Sequence, residues 1–370
     1  MSVDDFIAAG LYDPDAPDAR ERLEVLEYLH RVVGASIPEI VEAEQEDRLL
    51  STAALLPLRQ AGTRLTMAEA AARAGVDARF AARAWRAAGF RDPRPFERRF
   101  GDADVRFFEM LRLACEFVPE EAVLQFVRTL GTATASIAES AVALMRSNVE
   151  APLLQRRALV DIVRTYHEVA RQLFPRLTDA IDTLHRHHVD VAGRRYSGIG
   201  AAPSSTNVVP LAVGFADLSE YTDLSARLAA EELGQMLARF EAATGDTIAA
   251  AEAHLAKRIG DAVMFVSSAP GVACALALDL VEACARAALP RLRVGVAFGD
   301  VIVRHGDFYG PVVNLAARLV NEAAPGTVLT DASLQERLGR VRGPYAFVPI
   351  GRVPLAGFDE AVVAYQLLRA

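Results

Sequence analysis

Acidic, basic and amide side chains recur in four short segments between residues 215 and 318, at spacings that suit metal binding and charge stabilisation. In Phe215-Ala216-Asp217-Leu218-Ser219-Glu220-Tyr221-Thr222 an apolar run ends at an aspartate just before a helical pattern. A carboxylate at a strand end can bind a hard metal ion, and the same residue can act as an ordinary helix cap. In Lys257-Arg258-Ile259-Gly260-Asp261 glycine and aspartate form a common hairpin turn. Lys257 and Asp261 would neutralise each other in one site, a conflict that disappears if they serve two sites across a dimer. Gly306-Asp307-Phe308-Tyr309-Gly310 places an aspartate between glycines, as loop turns also do. Asn314 and Arg318 lie four residues apart on a helix opened by Pro311, so amide and guanidinium share one face. Arg318 can equally pair with Glu322 one turn later.

The elements around these segments mix strands and helices. Val208–Phe215 reads as a buried strand, with helices at 223–229 and 231–253. A hairpin sets Leu255–Lys257 against Ala262–Val266, and a helix covers 270–287. Strands at 291–298 and 300–304 and a helix at 311–323 follow. There is no simple βαβ alternation, so the class is α+β. Residues 1–190 show three- and four-residue apolar spacing instead, as in Leu23, Val25, Leu26 and Leu29, with turns expected at Gly34, Gly62, Gly75 and Gly131. That half reads as all-helical. Residues 191–206, rich in Gly, Ser, Ala and Pro, read as a linker to a second domain at 207–370.

Taken together, the four segments resemble the class III nucleotidyl cyclase catalytic domain. The resemblance runs from Val208 to Leu368 and takes in Val353-Pro354-Leu355-Ala356-Gly357-Phe358 and the strand Val362–Leu368. It implies a ferredoxin-like core and an adenylate cyclase, a phosphorus-oxygen lyase that converts ATP to 3′,5′-cyclic AMP and pyrophosphate. It also implies a homodimer using two divalent metal ions, Mg²⁺ or Mn²⁺. In-line attack of a ribose 3′-hydroxyl on the α-phosphorus suits a two-metal clamp with added cations.

By the same resemblance Asp217 and Asp261 bind metal, with the carbonyl of Leu218 as a further ligand. Lys257 and Asp307 recognise the adenine edge, where guanylate-specific relatives tend to carry Glu and Cys. Asn314 orients the ribose, and Arg318 stabilises charge on the α-phosphate. The metal aspartates of one subunit work with the other four residues of its partner. Three positions depart from the family pattern. Glu220 and Tyr221 stand where Gly and Phe are common, and Phe358 stands where some members place a phosphate-binding lysine.

The helical half resembles the pH-responsive regulatory domain of certain actinobacterial soluble cyclases. His185, His187 and His188 cluster near its end, with His167 earlier on the same helical pattern. Histidine titrates nearest physiological pH, so these are the regulatory candidates. Thr66–Arg94 has the form of a helix-turn-helix bearing Arg79, Arg83 and Arg86, which keeps a DNA-binding regulator in view. A catalytically silent nucleotide sensor is the other alternative. The formal net charge of −8 argues against a nucleic-acid surface over the whole chain. An acidic N-terminus without a signal-peptide pattern and only three scattered cysteines suit a soluble cytoplasmic protein.

Overall fold

The computed structural model describes residues 3–56, 64–94, 96–156, 159–197, 208–339 and 344–370. The chain divides into two compact units, Met1–Val189 and Asp190–Ala370.

The first unit is helical: α1 Val3–Ala8, α2 Ala19–Arg31, α3 Ile37–Gln45, α4 Leu49–Leu55, α5 Met67–Ala74, α6 Ala78–Ala87, α7 Asp102–Cys115, α8 Glu120–Met145, α9 Ala151–Gln155 and the start of α10 Leu159–Ser197. A π-helical turn, Arg146–Glu150, joins α8 to α9. Strand pairing among the described residues of this unit amounts to an isolated bridge, Leu65 to Phe100. Two cores hold it together. One gathers Phe80, Trp85, Phe100, Phe108 and Leu124 around α5–α8. The other gathers Leu26, Leu29, Ile40, Ile162 and Tyr166 around α2, α3 and α10.

Two expectations for this half need correction. Gly131 marks no turn but lies inside α8, because the apolar spacing continues through it. The stretch expected as linker from residue 191 is helical as far as Ser197. Asp190–Arg194 and Asp182–Arg186 pairs at i,i+4 support that last part of α10. The rest of the expected linker, and Gly62, lie outside the described residues.

The helix-turn-helix shape is present. Thr66 and Glu69 form a capping box on α5, Gly75 closes it in the left-handed region, and Asp77 caps α6. Two of its three arginines already have acidic partners. Arg83 pairs with Glu120 and Glu121, and Arg86 lies 2.8 Å from Asp92. Trp85, on the buried face of α6, packs on Phe90 and Phe100. The hairpin is a packing unit of the first core.

The second unit contains β1 Val208–Leu218, α11 Tyr221–Arg227, α12 Ala230–Ala250, β2 His254–Ile259, β3 Ala262–Ser267, α13 Pro270–Arg286, β4 Leu292–Arg304, β5 Asp307–Tyr309, α14 Pro311–Glu322, β6 Val328–Asp331, α15 Ala332–Leu338, β7 Tyr345–Val353 and β8 Val362–Arg369. The sheet order is β2-β3-β1-β4-β6-β8-β7, with β5 paired to β4. β4 and β6 run parallel, and the other pairs are antiparallel. The α+β expectation holds. The two strands expected at 291–298 and 300–304 are one continuous strand, because Gly299 and Asp300 keep pairing with Leu211 and Pro210.

Alternation along β1 divides the core into two layers. Ala212, Ala216 and Leu218 join Phe240, Leu276 and Leu280 on the face covered by α12 and α13. Val209, Leu211, Val213 and Phe215 join Val313, Ala316 and Leu319 on the face covered by α14. Burial pushes the thiols of Cys274 and Cys284, inside α13, up to about 12 and about 11, so both are inert packing groups.

Candidate active site

The alternation that buries Phe215 against α14 carries Asp217, two residues on, to the same face at the end of β1. Antiparallel register sets Asp217 opposite Ala262 on β3 and opposite Arg293 on β4. Asp261 sits in the tight turn between β2 and β3, which Gly260 enters with φ +61°. The amide of Leu218 donates to the carbonyl of Asp261 at 3.2 Å, fixing the turn against the end of β1. A carboxylate from the end of a strand and one from a hairpin turn therefore meet. Burial, and then the neighbouring Asp217 carboxylate, raise the Asp261 carboxyl above its ordinary range, with Arg293 opposing.

Arg293 was not singled out by the sequence. Its guanidinium donates to the Asp217 carboxylate, while its Nε is buried without a partner among the described residues. Only the β1–β4 register brings the two together, so no local spacing announces it. Two half-buried acids held near one guanidinium form a site charged for a hard cation and for phosphate oxygens. No cluster of three or more His, Cys, Asp or Glu able to hold a metal occurs among the described residues. Two carboxylates without a full protein cage fit a divalent ion that shares its coordination with water and substrate phosphates.

Lys257, on β2, donates to both oxygens of Asp307, on β5, at 2.8 Å. Burial raises the Asp307 carboxyl, but the lysine and the amide of Phe308 outweigh it, and the net shift is downward. Lys257 thus turns to Asp307 rather than to Asp261.

Asn314 and Arg318 lie on the exposed face of α14, whose other face buries Val313, Ala316, Leu319 and Val320. The helix comes this close to the sheet because of Gly295. A Cβ there would lie 2.4 Å from the amide nitrogen of Val320. Arg318 makes no ion pair with Glu322 or any other described residue, so the pairing one turn along the helix is not formed. Among the described residues no hydrogen bond or ion pair joins the three groups, Asp217–Asp261–Arg293, Lys257–Asp307 and Asn314/Arg318, to one another.

Two of the three departures, Glu220 and Phe358, have local explanations. Glu220 adopts φ +64° at the start of α11, a left-handed conformation that glycine takes without strain. Holding a side chain there costs about 1–2 kcal/mol, against about 0.5–1 kcal/mol that glycine loses in backbone entropy. Glu220→Gly is expected to raise the thermal midpoint slightly, a gain of about 0.5–1 kcal/mol; an unchanged or lower midpoint in calorimetry would refute the strain. Phe358 is half-buried and packs against the core under α14, so its side chain serves the fold.

With this geometry in place, relatives can be set beside it. The family model described as Adenylate and Guanylate cyclase catalytic domain matches residues 204–369. An adenylate cyclase of Streptomyces coelicolor is 34% identical over 282 residues, covering 75% of this chain and 73% of the relative. The chain belongs to the class III adenylate cyclases. This cyclase is also 36% identical over 370 residues to an uncharacterized Mycobacterium tuberculosis protein, covering 99% of this chain and 94% of that one. A pH-sensitive adenylate cyclase of M. tuberculosis is 31% identical over 333 residues, covering 86% of this cyclase and 80% of the relative. Among the described residues no helix of the cyclase is long and apolar enough to cross a membrane.

Proposed function

We propose that the cyclase forms cyclic AMP at composite sites between two copies, with two metal ions, and that the helical unit regulates it. The meeting of Asp217 and Asp261 beside Arg293 carries this reading. Asp217, Asp261 and the carbonyl of Leu218 would hold two divalent ions, Mg²⁺ or Mn²⁺. Bound there, such ions supply a lowered pKa for the 3′-hydroxyl and a clamp for the triphosphate.

The remaining steps belong to side chains. Lys257 donates to a ring nitrogen of adenine and Asp307 accepts from the exocyclic amine, the two already holding each other in place. Asn314 orients the ribose. The 3′-oxygen bonds to the α-phosphorus as the bond to the bridging oxygen breaks. Pyrophosphate leaves, and the hydroxyl proton passes to solvent. Arg318 meets the charge that grows on the α-phosphate. Arg293, next to Asp217, offers a cation to the phosphate chain where no lysine stands at position 358.

Regulation is read from α10. His185, His187 and His188 are exposed near its end, and His187 falls in a stripe with exposed Leu173, Leu177, Leu184 and Val191. Asp182, Arg186, Asp190 and Arg194 supply the other charges of that stretch. Histidine as a side-chain class changes charge nearest physiological pH, and three of them lie together here. His167 serves the fold instead, with its Nδ1 bonded to the Tyr28 hydroxyl at 3.0 Å.

The test is cyclic AMP production by the full chain from ATP and cyclic GMP production from GTP, with Mg²⁺ and Mn²⁺, from pH 5 to 8. Cyclic AMP is the expected product, with a pH profile that flattens when His185, His187 and His188 are all changed to Gln. No turnover under any condition would overturn the catalytic reading, and an unchanged profile would overturn the histidine assignment.

A further inference from the structure

Two glycines of β4 lie directly under α14. One face of the strand runs Gly295, Ala297, Gly299 and Val301, because alternate residues share a face. Ala297 and Val301 are buried in the core that takes Val313, Ala316, Leu319 and Val320 from α14. At Gly295 the helix backbone fills the place of a side chain. An added Cβ would lie 2.4 Å from the Val320 nitrogen, 2.5 Å from the Ala316 carbonyl oxygen and 2.8 Å from the Leu319 carbonyl carbon. At Gly299 the neighbour is a side chain, with the Val312 Cγ2 methyl 2.8 Å from an added Cβ. Neither glycine takes a positive φ. Both pair in regular register with β1, Gly295 with Phe215 and Gly299 with Leu211. Backbone freedom is therefore not what these positions require; what they exclude is a Cβ.

The contacts divide α14 by function. Val312 stands two residues before Asn314 in the first turn, and Ala316, Leu319 and Val320 bracket Arg318. Asn314 and Arg318 are exposed on the face turned away from the sheet. The height of the helix above β4 thus sets how far each side chain reaches. A Cβ needs about 3.5 Å from a non-bonded heavy atom, so one at position 295 would lift this turn of α14 by roughly 1 Å. Backbone atoms cannot turn aside as a rotamer can. A displacement of about 1 Å at a reacting centre costs about a hundredfold in rate.

We propose that Gly295 and Gly299 are positioning residues for the cyclase reaction. By admitting the backbone of α14 and the side chain of Val312, they set the height from which Arg318 and Asn314 meet the nucleotide. Gly295 acts mainly through Arg318, and Gly299 through Asn314. This rests on the roles proposed above for those two side chains. Lys257 and Asp307 stand on β2 and β5, so adenine recognition is not carried by the helix.

Kinetics of the full chain test it. Gly295→Ala is expected to lower kcat about a hundredfold. KM for ATP should stay nearly unchanged, the pattern of an interaction made in the transition state. Gly299→Ala is expected to lower kcat about tenfold, and adding Val312→Ala, which removes the opposing methyl, should restore most of it. A double variant as slow as Gly299→Ala alone would overturn the proposal. A folded Gly295→Ala chain with the parent kcat would do the same. Mixing variants separates positioning from damage to the rest of the unit. Gly295→Ala is expected to recover activity when mixed with Asp261→Ala, since its own aspartates are sound, and to recover none with Arg318→Ala. No recovery with Asp261→Ala, under conditions where Arg318→Ala does recover with it, overturns the proposal. The Val312→Ala rescue decides by itself if Gly295→Ala does not fold. It also decides if the Arg318→Ala and Asp261→Ala pair fails, a result that removes the composite site rather than the role of the glycines.

Discussion

Asp261→Ala is expected to remove cyclic AMP formation from ATP. A metal clamp is worth several kcal/mol of transition-state stabilisation, so the loss in kcat/KM is about a thousandfold or more. The reason lies in what remains. Among the described residues the carboxylate left at the end of β1 without Asp261 is Asp217, and its charge is already answered by Arg293. A divalent ion would have to compete with a guanidinium for one acid. Calorimetry gives a check that does not depend on turnover. The Asp261 carboxyl is raised by burial and by Asp217. A raised folded-state pKa means that its ionised form weakens the fold, so stability from this group is greatest below the ordinary carboxylate range and falls as pH rises. Metal-free Asp261→Asn at neutral pH is therefore expected to be no less stable than the parent. Mg²⁺ or Mn²⁺ should raise the thermal midpoint of the parent and leave the variant unmoved. A variant that keeps its activity, or responds to metal as the parent does, would remove Asp261 from the metal site.

Much of the catalytic unit was legible because its signals are local. The apolar run of β1, the glycine-aspartate hairpin and the proline-opened α14 each announce themselves within a few residues, and their boundaries shift by only a few positions. What stayed hidden depends on pairing between distant segments. Arg293 lies seventy-six residues from Asp217 in sequence, and only the β1–β4 register makes them neighbours. Glu220 could be noted as an odd residue after the first aspartate, yet its left-handed backbone, which explains why glycine suits that place, needs coordinates. In the helical half, periodicity gave the class, and it was the glycine itself that misled at position 131. There glycine answers a crossing helix rather than a turn. The linker composition also misled, since Val191, Ala192 and two arginines continue a helix as readily as they end one.

Mixing two inactive variants is expected to restore activity. Arg318→Ala should cost about a hundred- to a thousandfold in kcat, the usual loss when a donor to developing charge is removed. Asp261→Ala is inactive for the reasons above. Among the described residues no hydrogen bond or ion pair joins Asp261 to Arg318; Asp261 lies beside Asp217, and Arg318 is exposed on α14. In a head-to-tail dimer each site takes its aspartates from one copy and its arginine from the other. A mixed dimer of the two variants then holds one site with both residues intact and one site lacking both. Random exchange makes half the dimers mixed, so the mixture should reach about a quarter of the parent activity. If instead each chain carried a complete site, every site in the mixture would lack one residue and the mixture would show no more than the sum of two residual rates. Subunit exchange can be verified by capturing one variant through a tag and finding the other bound to it. With exchange shown, recovery would place Asp261 and Arg318 in one site on different copies, and its absence would return them to a single chain.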